Sequence, residues 1–182
     1  MKTGRLIAVV GPSGVGKDSV IAGILDQNPN MRTVTRSITR APDLGGEDYT
    51  SLSPDAFAKA KHNGAFCLDW EAHGLRYGIP AEVRADVEAG ALRIANLSRR
   101  ILPRAFEVFP SLIILNITAN PDVLQKRLAA RGREDAADIA ARLSRAEEPI
   151  DDRLPVSTLR NNGPLEDTVR CALDAISRAD AT

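Results

Sequence analysis

A chain of 182 residues with 43% hydrophobic content suits one compact domain with a proper core. Its 24 Lys and Arg balance 24 Asp and Glu, which excludes a net field drawing it to nucleic acid or to an acidic membrane, so any anion affinity must come from local clusters. Cys67 and Cys171 lie far apart without a CxxC or His-rich neighbourhood, no apolar run approaches membrane length, and the first strand is entered without a signal peptide; the expectation is a cytoplasmic protein with two reduced thiols, no nucleic-acid partner and no membrane partner.

Leu6-Ile7-Ala8-Val9-Val10 is too short for a helix and rich in β-branched residues, which predicts a buried strand. Gly11-Pro12-Ser13-Gly14-Val15-Gly16-Lys17-Asp18-Ser19 follows, and Val20, Ile21, Ile24 and Leu25 then recur at helical spacing until Asn28-Pro29. Strand, glycine-rich turn and helix are the context in which a G-x-x-x-x-G-K pattern means a phosphate-binding loop. Glycines let the backbone curl with its N–H groups inward, the helix N-terminus adds partial positive charge, and Lys17 reaches the outer phosphates. The nine residues Gly11 to Ser19 are therefore the expected nucleotide-binding set, with Lys17 catalytic. One position departs from the pattern: Asp18 stands where a Ser or Thr hydroxyl would ligate magnesium. A carboxylate is also a hard oxygen ligand, so Asp18, or Ser19 beside it, is expected to keep the magnesium role.

Further along, Arg32 to Thr35 reads as a short strand, and Asp43 to Tyr49 as polar and turn-rich. Ser53 caps a helix with Pro54 at its first position, and this helix ends near Asn63-Gly64. Phe66 to Trp70 and Arg76 to Ile79 read as two strands joined around His73-Gly74. The larger pattern resumes with a helix from about Pro80 to Ala89, strand Leu92 to Leu97, helix Ser98 to Val108 and strand Leu112 to Ile117. Asn120-Pro121-Asp122 opens a helix that Gly132 breaks, and another runs from about Ala136 to Glu148. A last short strand lies within Asp151 to Leu159, and Pro164 begins the C-terminal helix. Strands alternating with helices predict an α/β fold, a parallel sheet covered on both faces.

Arg127, Arg131 and Arg133 flank Gly132, and Arg142 and Arg145 lie on the following helix. Phosphoryl transfer asks for cations that surround the moving group and exclude water, and a mobile arginine-bearing lid does both. No acidic residue ends strand Leu92–Leu97, where a second magnesium anchor is expected; Asn96 stands there.

Gly11–Ser19, Ser37-Ile38-Thr39-Arg40-Ala41-Pro42, Asp48-Tyr49, Phe66 with Asp69-Trp70, Tyr77-Gly78, Lys126-Arg127-Leu128 with Arg131-Gly132, and Arg142-Leu143 together resemble the guanylate-kinase-like branch of the small P-loop kinases. The resemblance implies a P-loop kinase fold in one domain, 1–182, with core 1–35, 90–130 and 151–182, an acceptor-binding insertion 36–89 and an arginine-rich lid 131–150. It implies ATP as co-substrate with Mg2+. Arg40, Tyr49 and Tyr77 would hold the acceptor's phosphate, Arg131 and Arg142 would act catalytically on the transferring group, and Asn161-Asn162 would lie near the adenine.

The departures bear on the acceptor. The family's second arginine two places after Arg40-Ala41 is Asp43, its tyrosine pair is Arg76-Tyr77, its guanine-touching hydroxyl after Gly78 is Ile79, and its acidic strand residues are Asn96 and Ser98. A site that hydrogen-bonds guanine rejects groups that leave its polar atoms unpaired, so losing several partners argues against guanine. Lys17-Asp18-Ser19, Trp70 to Pro80 and Ala95 to Arg99 together resemble a subgroup, which implies phosphorylation of ribose 1,5-bisphosphate to 5-phosphoribosyl 1-diphosphate in phosphonate breakdown. For such a small sugar phosphate, Arg76, Arg99 and Arg100 supply charge for a second phosphate, and Glu71 or His73 is a candidate for the ribose hydroxyls. The rival expectations are a GMP kinase and a catalytically silent binding module; the oligomeric state, including a homodimer, stays open.

Overall fold

The computed structural model describes residues 4–42, 47–130 and 149–180. Its strands are β1 (Arg5–Val10), β2 (Met31–Thr33), β3 (Arg36–Ile38), β4 (Tyr49–Ser51), β5 (Phe66–Ala72), β6 (Leu75–Pro80), β7 (Leu92–Asn96), β8 (Ile113–Thr118) and β9 (Val156–Arg160). Its helices are α1 (Lys17–Gln27), α2 (Pro54–His62), α3 (Glu82–Glu88), α4 (Leu102–Val108), α5 (Pro121–Ala130) and α6 (Leu165–Asp180).

Alternate side chains of β1 enter opposite cores, Leu6, Ala8 and Val10 on one face and Ile7 and Val9 on the other. Burial on both faces places β1 centrally, and a five-stranded, wholly parallel sheet forms in the order β2-β7-β1-β8-β9. Helix α1 (through Val20 and Ile24) and α6 (through Val169, Ala172 and Ile176) cover one face. Helices α3 (Val83, Val87) and α4 (Leu102, Ala105) cover the other. The parallel sheet flanked by helices is the one the alternation predicts.

Residues 36–80 build a second sheet, β4-β3-β6-β5, in which β3 and β4 run parallel and the other pairs antiparallel. His73 and Gly74 at the β5–β6 turn have φ of 53° and 72°, the two left-handed residues of a tight hairpin. Leu68 and Ile79 are fully buried and join the core under α3 and α4, which fixes the small sheet against the large one. Ser53 caps α2, its hydroxyl accepting from Ala56 N at 3.1 Å as the Ser-Pro signal predicts.

Some boundaries differ from expectation. Pro80 does not open a helix; it closes β6 opposite Phe66, because pairing with β5 continues to that residue, and α3 starts at Glu82. The expected helix from Ser98 is a 3-10 turn, Arg99–Ile101, followed by α4, with Pro103 in the first turn of α4, where its missing N–H leaves no bond unmade. Tyr49–Ser51 is a strand, made so by pairing with β3. The expected break at Gly132 and the helix over 136–148 lie outside the described residues.

Gly23 is where α1 rests on α6: a Cβ there would stand 2.6 Å from Val169 Cγ2. Gly to Ala inside a helix ordinarily gains about 0.5–1 kcal/mol, but overpacking of a filled interface costs about 1–3 kcal/mol. Crowding wins at this distance. Gly23→Ala should lower the urea midpoint, and Val169→Ala in the same chain should lose less than the sum of the two single changes.

Candidate active site

The turn after β1 curls because its glycines take backbone conformations closed to other residues. Gly11 has φ 151° and Gly16 φ 95°; a Cβ would lie 2.3 Å from the Ile117 carbonyl at the first and 2.8 Å from Asn161 Nδ2 at the second. Gly11, Pro12, Ser13, Gly14, Gly16, Lys17, Asp18 and Ser19 line a cleft of about 810 Å³. Val15 does not face it: the side chain is fully buried in the core below. Lys17 Nζ donates to the carbonyls of Gly11 (2.9 Å) and Pro12 (3.0 Å), which holds the ammonium over the turn.

Two side chains hold the turn from behind. Asn161 Nδ2 donates to the Val15 carbonyl at 2.8 Å, and Asn161 Oδ1 accepts from the Thr168 hydroxyl at 3.0 Å. Arg127 Nη1 donates to the same carbonyl at 3.2 Å. Asn161, Arg127, Ala130, Gly163 and Leu165 line a second cleft of about 360 Å³, which shares Gly14, Gly16 and Ser19 with the larger one. Asn162 Oδ1 accepts from Asn120 N at 2.8 Å, tying the β9 end to the start of α5.

On α1, Asp18 Oδ1 accepts from Asn96 Nδ2 at 3.4 Å, so the carboxylate of the turn and the amide ending β7 face each other. The Asn96 carbonyl in turn accepts from Arg36 Nη1 at 2.8 Å. Arg36 Nη2 stands 2.5 Å from both Glu47 carboxylate oxygens, and its guanidinium lies 5.2 Å from the Tyr77 ring centroid. Tyr77 stacks on Trp70 at 5.2 Å and 8°. Arg40 approaches Glu47 at 3.8 Å and lies over the Tyr49 ring at 5.3 Å. Arg36, Arg40, Glu47, Trp70, Tyr77, His73, Arg99 and Arg100 all line the large cleft. Arg99 Nη2 donates to Asn116 Oδ1 at 3.1 Å across the strand ends.

Other expected residues are placed differently. Arg76 neighbours Tyr77 on β6 and so presents its side chain to the opposite face; it pairs with Glu71 at 2.9 Å and is outside the cleft lining, as is Glu71. Tyr49 is also outside that lining, its hydroxyl donating to the Ala41 carbonyl. Arg131, Arg133, Arg142 and Arg145, and with them the expected lid, lie outside the described residues, as does Asp43. Cys67 and Cys171 are free thiols, and burial pushes the Cys67 thiol up from its ordinary range. Among the described residues no helix is long and apolar enough to cross a membrane.

The family model described as guanylate kinase matches residues 3–178. This chain belongs to the guanylate kinase family. Within the family it stands with the ribose 1,5-bisphosphate phosphokinases: it is 47% identical over 163 residues to ribose 1,5-bisphosphate phosphokinase PhnN of Ruegeria sp. (strain TM1040), covering 89% of this chain and 86% of the relative. The protein of the same name from Agrobacterium fabrum is 41% identical over 177 residues, covering 96% and 97%. Among solved structures, a guanylate kinase from Anaplasma phagocytophilum matches at TM-score 0.71 and 19% identity, covering 98% of this chain and 88% of that one. A gluconokinase from Sinorhizobium meliloti 1021 matches at TM-score 0.59 and 18% identity, covering 100% and 96%. These two likenesses show the fold.

For this guanylate kinase-family chain, sequence reasoning missed Arg36, Glu47 and the Arg127 contact with the turn. Arg36 carried no sequence signal of its own, since its strand and its burial emerge only with the fold. Glu47 carried none, since its partner is eleven residues away and meets it only through the fold.

Asn161→Ala would leave the Val15 carbonyl with one donor fewer and strip the Thr168 hydroxyl of an acceptor. It should lower stability by about 1–3 kcal/mol in urea unfolding and weaken nucleotide binding in calorimetry, whereas Asn162→Ala should affect binding less.

Proposed function

We propose that the chain transfers the γ-phosphoryl group of ATP to the anomeric phosphate of ribose 1,5-bisphosphate, giving ADP and 5-phosphoribosyl 1-diphosphate. The observation that carries this reading is the acceptor side of the cleft. It gathers Arg36, Arg40, Arg99 and Arg100 around an aromatic floor of Trp70 and Tyr77. The position where the family resemblance puts a guanine-touching hydroxyl is Ile79, fully buried in the core. Cations beside a buried Ile79 in place of that hydroxyl suit a sugar bisphosphate, and the relatives that match over most of the chain are named for that substrate.

The nucleotide end suits a triphosphate, because the Gly11–Gly16 turn packs its glycines directly against Ile117, Leu128 and Asn161, which holds the curled backbone from its protein side. Asp18 and Ser19, in the first turn of α1, are the oxygen donors that would hold magnesium. Magnesium keeps several waters and is usually held by one or two carboxylates together with substrate phosphates, a role that one carboxylate beside the turn suits. When bound, magnesium supplies charge neutralisation on the β- and γ-phosphates. Lys17 leaves the Gly11 and Pro12 carbonyls for the outer phosphates, the turn amides orient the chain of phosphates, and the arginines of 131–150 shield the moving group from water. No general base is required: the acceptor oxygen is already ionised at neutral pH, and positioning with electrostatics supplies the rate. Protein and substrates meet in the cytoplasm under this reading, with a small-molecule partner only.

An ADP-release assay should give kcat/KM for ribose 1,5-bisphosphate at least tenfold above that for GMP; a preference for GMP reverses the acceptor assignment. Lys17→Ala should cut turnover by about a hundredfold or more while leaving the unfolding midpoint near that of the parent. Asp18→Ala should raise the magnesium concentration needed for half-maximal turnover; an unchanged requirement removes Asp18 from the metal.

A further inference from the structure

Arg36 and Glu47 form a pair inside the acceptor cleft that the phosphate cradle does not account for. The Arg36 side chain is 7% exposed and is fixed from three sides, by the Asn96 carbonyl, the Glu47 carboxylate and the Tyr77 ring. Such a buried pair adds little net stability, since loss of hydration offsets most of the attraction and two apolar side chains of similar volume serve the fold as well. Its use is therefore sought in what it presents to the cleft. Both line the cleft, but the arginine's hydrogen bonds go to the protein, and the carboxylate, 23% exposed, is the more open member.

A carboxylate only accepts hydrogen bonds, at about four lone-pair sites, and Arg36 at 2.5 Å takes part of that capacity. What remains suits a donor. An ionised phosphate is no donor and is repelled by the same charge, while a sugar hydroxyl is one. Glu47 thus turns a hydroxylated face of the sugar to itself and leaves the acceptor's phosphates to the cations of the cleft, Arg99 and Arg100 and the outer side of Arg40, whose Nη1 stands 3.8 Å from Glu47 Oε1. We propose that Glu47, held by Arg36 as a positioning residue, accepts a hydrogen bond from a ring hydroxyl of the acceptor and makes the site select ribose over deoxyribose. This rests on the sugar-phosphate reading given above.

The test measures Kd by calorimetry for ribose 1,5-bisphosphate, its 2-deoxy and 3-deoxy analogues, and GMP, on the parent chain, on Glu47→Gln and on the double variant Arg36→Met/Glu47→Leu. The double variant removes both charges at once and so avoids a stranded buried cation. The parent should bind ribose 1,5-bisphosphate about ten- to a hundredfold more tightly than at least one deoxy analogue. That ratio should fall to about threefold or less in the double variant and take an intermediate value in Glu47→Gln. A parent that binds both deoxy analogues as well as the ribose compound overturns the inference, as does a double variant that keeps the parent's ratio. Tighter binding of GMP than of ribose 1,5-bisphosphate by the parent overturns instead the acceptor reading beneath it.

Discussion

The carbonyl of Val15 is the point on which the site depends. It accepts from Asn161 at 2.8 Å and from Arg127 at 3.2 Å, one at the end of β9 and the other on α5. A glycine-rich turn loses more conformational freedom on ordering than any other stretch of its length. Left to itself it would not keep its N–H groups converging on one point. Burying the Val15 side chain in the core and fixing its carbonyl from outside means that the ordering is completed when the protein folds, not when a phosphate arrives.

Asn96 carries that order across the cleft. Its amide meets Asp18 on α1, and its carbonyl holds Arg36 on β3. The residue ends β7, which pairs with β1 in register up to Val9–Asn96. The same ladder therefore places the turn and Arg36 relative to each other. A carboxylate on α1 facing an amide on β7 also keeps a single negative charge at this position; two carboxylates at that separation would repel.

The five-stranded sheet, the turn and helix α1 were legible in the sequence, because each is encoded by local pattern: a β-branched run, glycines with lysine at fixed spacing, and apolar residues at helical period. The family could be read as well, since its motifs are short and contiguous. Strand β4 was not legible, because Tyr49–Ser51 becomes a strand only against β3, nor was the end of β6 at Pro80, where pairing with Phe66 overrides a helix-start signal. The cleft lining was half legible. Arg40, Tyr77 and Arg99 do line the cleft, but strand alternation carries Arg76 to the other face, and the Arg36–Glu47 pair arises from a contact that no local spacing encodes.

The central claim is that one turn of backbone amides holds the nucleotide's phosphates while a cation-lined cleft beside it holds a base-free sugar bisphosphate. A crystal structure with a non-hydrolysable ATP analogue, magnesium and ribose 1,5-bisphosphate tests it most directly. The account predicts the triphosphate in the turn between β1 and α1 and the sugar bisphosphate over Trp70 and Tyr77, with its anomeric phosphate toward the γ-phosphate. A triphosphate bound anywhere else, or a sugar bound outside the cleft shared by Lys17 and Arg40, would contradict it.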